Sequence, residues 1–170
     1  KHPDVSFVLM SYLNPLYRYG LDALFERASQ AGIAGMIIPD WPVEDVQPWL
    51  PKLDELNLAP ILMVAPNTSA ERVEKIAKSA RGMIYVVSRM GVTGTGTQWD
   101  QAFDDYIASI RKHTDLPLAV GFGVRGADDL KALTGKAEVA AFCSRYIEWQ
   151  RNDGSVAAGE KMAELLNEAF

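Results

Sequence analysis

The sequence has one cysteine, Cys143, and two histidines, His2 and His113. That rules out an internal disulfide framework and a cysteine-based metal cluster, and no metal-ligand spacing appears. Excess positive charge is also missing: 17 Lys and Arg stand against 22 Asp and Glu, for a net charge of -5. No basic face stands out to neutralise a phosphate backbone, which argues against a nucleic-acid groove. Apolar runs are short; Ile61-Leu62-Met63-Val64-Ala65 falls well below the roughly 20 residues of a bilayer span. No charged stretch followed by an apolar one reads as a signal peptide. Gly135-Lys136 is followed by Ala137, so no Walker A sequence exists. These absences point to a soluble protein of the cytoplasm. The 170 residues, 48% hydrophobic, suffice for one buried core. The opening Lys1-His2-Pro3-Asp4, with no methionine, suggests a piece of something longer.

What is present repeats. Six β-rich runs, Val5–Tyr12, Gly35–Pro39, Ala59–Ala65, Met83–Ser88, Leu118–Gly123 and Glu138–Ser144, are apolar almost throughout. Such runs suit strands buried on both faces. Helical stripes lie between them. Leu21, Leu24, Phe25 and Ala28 share a face, with Gly32 as the stop. Thr68-Ser69-Ala70-Glu71 has capping-box spacing ahead of Val73, Ile76, Ala77 and Ala80. Phe103, Ile107 and Ile110 precede a turn at Asp115-Leu116-Pro117. Pro48 and Pro51 make 43–58 a short turn followed by a helix. A last helix over 156–170 turns Met162, Leu165, Leu166 and Ala169 inward. The strand starts recur at intervals of 20 to 35 residues, each fitting one strand–helix unit with a right-handed crossover. Six such units mean an open doubly wound sheet or part of an eight-unit barrel, which typically takes about 250 residues.

Gly121-Phe122-Gly123-Val124-Arg125-Gly126 is literally G-x-G-x-x-G. A dinucleotide fingerprint also needs an acidic residue at the end of the next strand, and Glu138 sits at its start. A better fit is a phosphate cradle at the carboxyl ends of parallel strands, with close backbone N–H groups and a helix start supplying favourable dipole. Gly121–Gly123 and Cys143-Ser144 would form it, with a hydroxyl from Ser144 and charge from Arg125. The alternative is a plain tight turn. A second stretch, 89–97, holds three glycines and three threonines and suits a loop that closes over a ligand; a surface loop without function is the other reading.

Catalytic groups are sparse. Asp40, in Ile38-Pro39-Asp40-Trp41-Pro42, is a candidate general base or else a turn or cap residue. Tyr12 and Tyr85 lie at or near strand tops, where a phenol bonds a ligand or simply packs. His113 reads as a solvated cation at a helix end, and Cys143 as a buried structural thiol rather than a nucleophile.

Met10-Ser11-Tyr12-Leu13-Asn14-Pro15, Ile38-Pro39-Asp40-Trp41-Pro42, Ala65-Pro66-Asn67-Thr68, Ser88-Arg89-Met90-Gly91-Val92-Thr93-Gly94 and Gly121-Phe122-Gly123-Val124 follow one another in order. Together they closely resemble the tryptophan synthase alpha subunit family, most specifically in the Ser-Arg-x-Gly-Val-Thr-Gly loop. The resemblance implies a (β/α)8 TIM barrel, here a single partial domain over 1–170 comprising strands 3 to 8. It implies retro-aldol cleavage of indole-3-glycerol phosphate to indole and glyceraldehyde 3-phosphate. It also implies a beta subunit as partner, in an alpha2beta2-type complex, with pyridoxal phosphate in that partner and no cofactor here. By resemblance Thr93 positions a catalytic carboxylate and Gly94 belongs to the closing loop. Phe122 and Gly123 match the substrate pocket and its phosphate-binding amides, and Ser144 the second phosphate turn. Tyr12, Ile37, Pro39, Met63 and Tyr85 fall at the pocket wall. Asn14, Asp40 and Pro42 match the face toward the beta subunit, which replaces the general-base reading of Asp40.

Two departures from the family pattern follow. Its catalytic Glu and Asp belong to the second strand and the loop after it, upstream of Lys1, so no catalytic acid/base pair is expected among these residues, and this chain alone is expected to be inactive. The second phosphate turn, usually Gly-Ser, reads Cys143-Ser144-Arg145, where a Cβ limits close approach and Arg145 offers compensating charge. Missing strands would leave open edges and an exposed apolar layer. Two other readings remain: a catalytically dead module that binds the beta subunit, or a different phosphate-binding barrel enzyme.

Overall fold

Runs rich in Val, Ile, Leu and Met form strands here, and the amphipathic stripes between them form helices. The computed structural model describes residues 4–88, 99–121 and 123–170. These form two compact units, the first made of described residues 4–64, 68–85 and 113–116, the second of 65–67, 86–88, 99–112, 117–121 and 123–170.

In the first unit the order is β1 (Phe7–Met10), α1 (Leu13–Tyr19), α2 (Leu21–Gln30), β2 (Ile33–Ile37), α3 (Val43–Val46), a 3-10 turn (Gln47–Trp49), α4 (Leu50–Glu55), β3 (Ala59–Val64) and α5 (Ala70–Ser79). β1 pairs parallel with β2, and β2 with β3, in the register Met10↔Ile37 and Ile37↔Ile61. Each strand is thus followed by helix, as parallel pairing requires. Gly35 is needed where β2 meets β3, since a Cβ there would lie 2.8 Å from the Ala59 carbonyl oxygen. Phe25, Val46, Leu53, Leu58 and Val64 form the core. The Phe25 ring stacks on Trp41 at 6.0 Å and meets Trp49 edge-on at 5.4 Å. A small apolar cavity is lined by Met36, Ile38, Trp41, Leu53 and residues 59–62.

The chain passes from the first unit to the second within β4 (Ile84–Val87). The second unit continues with α6 (Gln101–Arg111), β5 (Leu118–Gly121), α7 (Ala127–Leu133), β6 (Val139–Ala140) and α8 (Ser144–Ala169). β5 and β6 pair parallel, Ala119↔Val139 and Val120↔Ala140. Ile110, Leu118 and Val120 are fully buried, with Phe103, Ile107, Leu130 and Leu133 around them. At the amino end of this pair, Glu138 takes the Leu118 N–H at 2.7 Å and both its oxygens meet Arg111 at 2.6 Å.

Several expectations need correction. α1 was not anticipated as a helix; the Pro15 at its third position is compatible with a first turn. The cap of α5 is Ser69, whose Oγ accepts the Arg72 N–H at 3.3 Å, one residue later than the capping-box spacing suggests. β6 is two residues long rather than seven, its run of Ala, Phe and Cys being poorer in β-branched residues than the other strands. The stretch Ser144–Ala169 is two helices separated at Gly154, whose φ of 84° and ψ of 167° are non-helical. The second falls where the last helix is expected, and the one before it, from Ser144, is not anticipated. Leu166 is 44% exposed rather than inward. β1 is not covered on both faces: Phe7 and Met10 each remain 53% exposed, at a strand whose only partner among the described residues is β2. Among the described residues, no helix is long and apolar enough to cross a membrane.

Candidate functional site

In parallel sheets ligands gather beyond the carboxyl ends of the strands, and the first unit places most of the sequence candidates there. The Ser11 N–H donates to the Ile37 carbonyl at 3.2 Å, so β1 and β2 end at one level. Just past that level come Tyr12, 66% exposed in extended backbone at the start of α1, and the exposed Asn14 within it. Ile37, buried, closes β2, and Pro39 follows half-buried. Met63 is half-buried one residue before the end of β3, and Tyr85 is buried within β4.

The turn after β2 is held on the inside by Trp41, which is buried against Phe25 and donates its N–H to the Ile38 carbonyl. Asp40 and Pro42 on either side of it are exposed. The Asp40 Oδ1 accepts the Leu13 N–H at 2.7 Å, so this carboxylate caps the first turn of α1. That is the turn-and-cap role weighed for it in the sequence.

In the second unit, the glycine-rich turn after β5 has both ends fixed. The Gly121 carbonyl accepts the Ser88 N–H at 3.1 Å. Gly123 has a φ of 93°, which only glycine adopts readily. Asp129 Oδ2 accepts the Arg125 N–H at 2.7 Å and the Gly126 N–H at 3.1 Å, while Oδ1 accepts the Trp99 indole N–H at 2.6 Å. The start of α7 is therefore already occupied by the chain's own carboxylate. This corrects the expectation that a helix start here adds dipole to a phosphate cradle, and it disposes of a pyrophosphate at the G-x-G-x-x-G. Asp129 and Trp99 were missed in the sequence, although an acidic residue three positions after Gly126 is a capping-box signal.

Ser144 is exposed in the first turn of α8, preceded by Cys143 with a φ of -114°. Cys143 is exposed, not the buried thiol expected. Arg145 is engaged with Glu148 at 2.8 Å and lies over the Trp149 ring at 5.7 Å, so its charge is partly neutralised along the helix. His113 is half-buried beyond the end of α6. Thr93, Gly94 and Phe122, together with His2, lie outside the described residues. Among the described residues no group of three metal-ligating side chains comes together.

The family model of the tryptophan synthase alpha chain matches residues 1–167. The chain belongs to the tryptophan synthase alpha chain family. It is 40% identical to the tryptophan synthase alpha chain of Desulfotalea psychrophila over 165 residues, covering 97% of this chain and 65% of that one. With the alpha chain of Syntrophotalea carbinolica the identity is 38%, covering 96% and 64%. The chain thus spans somewhat less than two thirds of the length of these curated relatives. Among solved structures, tryptophan synthase of Mycobacterium tuberculosis superposes with a TM-score of 0.81 at 31% identity, covering 94% of this chain and 62% of that one. The tryptophan synthase a2b2 complex of Pyrococcus furiosus, described for its mutual activation, gives 0.85 at 27% identity, covering 99% and 68%. The fold is the family's (β/α)8 TIM barrel, with six βα units carried by this chain.

Proposed function

We propose that these residues serve the retro-aldol cleavage of indole-3-glycerol phosphate to indole and glyceraldehyde 3-phosphate in tryptophan biosynthesis. The observation that carries this is the family match across 1–167. On this reading Tyr12, Ile37, Pro39, Met63 and Tyr85 wall the indole and glycerol portions. Gly94, Phe122, Gly123 and Ser144 hold the phosphate, and Thr93 supports a catalytic carboxylate. With Asp129 filling the start of α7, the phosphate donors of the first turn are the amides around Gly123, upstream of Arg125.

Cleavage breaks the bond from indole C3 to the glycerol chain. It needs a proton delivered to C3 as the indole nitrogen gives one up. The hydroxyl proton on the adjoining glycerol carbon is then removed, and that carbon becomes the aldehyde as the C–C bond breaks and the nitrogen regains its proton. This is work for an acid/base pair worth about 10²–10⁴-fold. The resemblance matches none of residues 1–170 to that pair, and on this reading these residues taken alone are expected to release no indole. Asn14, Asp40 and Pro42 form the face toward a beta subunit, which carries the pyridoxal phosphate; this chain takes no cofactor. The cytoplasm is the compartment proposed.

The test is indole release from indole-3-glycerol phosphate by the chain of verified mass, with and without beta subunit. No release, together with binding of a phosphate monoester, is the expected result. Release above background by 170 residues overturns the assignment of the acid/base pair. If the chain raises beta-subunit turnover while cleaving nothing and binding no phosphate, it acts as an interaction module instead.

A further inference from the structure

We propose that Asp129 is a positioning residue for the phosphate turn after β5, acting through a single carboxylate that serves three donors. The proposal rests on the reading of that turn as phosphate-binding.

Three observations carry it. Asp129 Oδ2 collects the two consecutive N–H groups of Arg125 and Gly126, at 2.7 and 3.1 Å. Its Oδ1 takes the Trp99 indole N–H at 2.6 Å. Trp99 is itself fixed: it meets Phe103 edge-on at 4.9 Å, and the next residue, Asp100, caps α6 by accepting the Phe103 N–H at 3.2 Å. One carboxylate therefore ties the start of α6 to the start of α7. At its other end the turn is held where the Gly121 carbonyl accepts the Ser88 N–H. Between these two anchors lie Gly123, in the left-handed region, and the buried Val124. A phosphate held by backbone amides needs those amides aimed in advance, because each donor that must be reoriented on binding lowers affinity.

The chemistry of the network gives it a signature. An ionised carboxylate offers acceptors on both oxygens, whereas an amide of the same shape offers one acceptor and one donor. In Asp129→Asn the amide oxygen can face the two backbone N–H groups or the indole, and the NH2 then opposes the remaining donor. Removing the indole donor relieves that conflict. Asp129→Asn must therefore weaken phosphate binding more when Trp99 is present than when it is replaced by Phe. A role confined to general stability has no reason to show this dependence.

The experiment measures binding of sn-glycerol 3-phosphate by calorimetry to the 170-residue chain, Asp129→Asn, Trp99→Phe and the double variant, at a temperature where circular dichroism shows all to be folded. Expected are about tenfold weaker binding in Asp129→Asn, the scale of losing a hydrogen bond to a charged group, and recovery of most of that loss in the double variant. Equal loss in both backgrounds, or none, overturns the proposal while leaving the phosphate turn intact. No binding by the unsubstituted chain overturns both. If Asp129→Asn does not fold, the unsubstituted chain still decides: the Gly126 and Trp99 indole protons must resonate downfield as partners of a carboxylate. Their appearance at ordinary positions overturns the proposal.

Discussion

The Asp40 carboxylate accepts the Leu13 N–H at 2.7 Å, so the turn after β2 holds the helix that follows β1. Trp41, packed on Phe25, anchors that turn from behind. Asp40 thus has a structural task that is separable from any role toward a partner. Asp40→Ala is expected to lower stability by about 1 kcal/mol, the usual scale of a lost helix cap. Asp40→Asn, which keeps an acceptor, is expected to lose a few tenths. Urea unfolding checks both. Equal losses in the two variants would mean that charge, and not the cap, is what matters.

Glu138 predicts an acid sensitivity. Burial opposes its ionisation, but the hydrogen bond from Arg111, the Leu118 N–H and the Arg111 charge outweigh burial and hold its carboxyl below the usual range. Because the folded-state value is depressed, the stabilisation is present above the unfolded-state value of about 4.3. It is lost as pH falls through the lower folded-state value. Glu138→Gln is expected to flatten the fall of the urea midpoint between pH 5 and pH 3, by an amount limited by the exposure of the pair. An unchanged pH profile would place the acid sensitivity elsewhere.

Gly35 tests the close approach of β2 and β3. A methyl there would stand 2.8 Å from the Ala59 carbonyl and 3.0 Å from Ile61 Cδ1. Gly35→Ala is expected to cost about 1–3 kcal/mol through overpacking, visible as a lower unfolding midpoint. Gly32→Ala meets no neighbouring atom and its penalty comes only from a φ of 78°, so comparing the two separates crowding from backbone strain.

These positions also show what was legible in the sequence. Continuous apolar runs such as Ile61–Val64 announced parallel strands, because strands covered on both faces need no alternation. The stripes Val73–Ile76 and Phe103–Ile107–Ile110 announced the helices that cover them. The second half of the chain was less readable. The run 138–144 is apolar, yet only Val139–Ala140 is strand, because apolar character alone does not separate a short buried strand from a helix start. Asp129 went unread for a related reason. Its role depends on Trp99, 30 residues earlier in the chain, and no local pattern joins the two. Asp40 was legible as a turn residue, but its partner Leu13 was not.

Cys143 and Ser144 supply the last prediction. The resemblance implies a glycine where this chain has Cys143, and the φ of -114° there is one that any residue adopts. What glycine would add is space, since removing the Cβ lets an anion approach the first amides of α8 more closely. Cys143→Gly is therefore expected to tighten sn-glycerol 3-phosphate binding about threefold while moving the unfolding midpoint little, glycine being an acceptable residue at a helix start. Ser144→Ala is expected to weaken binding by roughly a factor of five through loss of its hydroxyl. Calorimetry on both variants checks the pair. If Ser144→Ala binds as well as the unsubstituted chain, the second turn takes no part in holding phosphate. If Cys143→Gly binds no more tightly while Ser144→Ala weakens binding, the turn is used and the cysteine does not obstruct it.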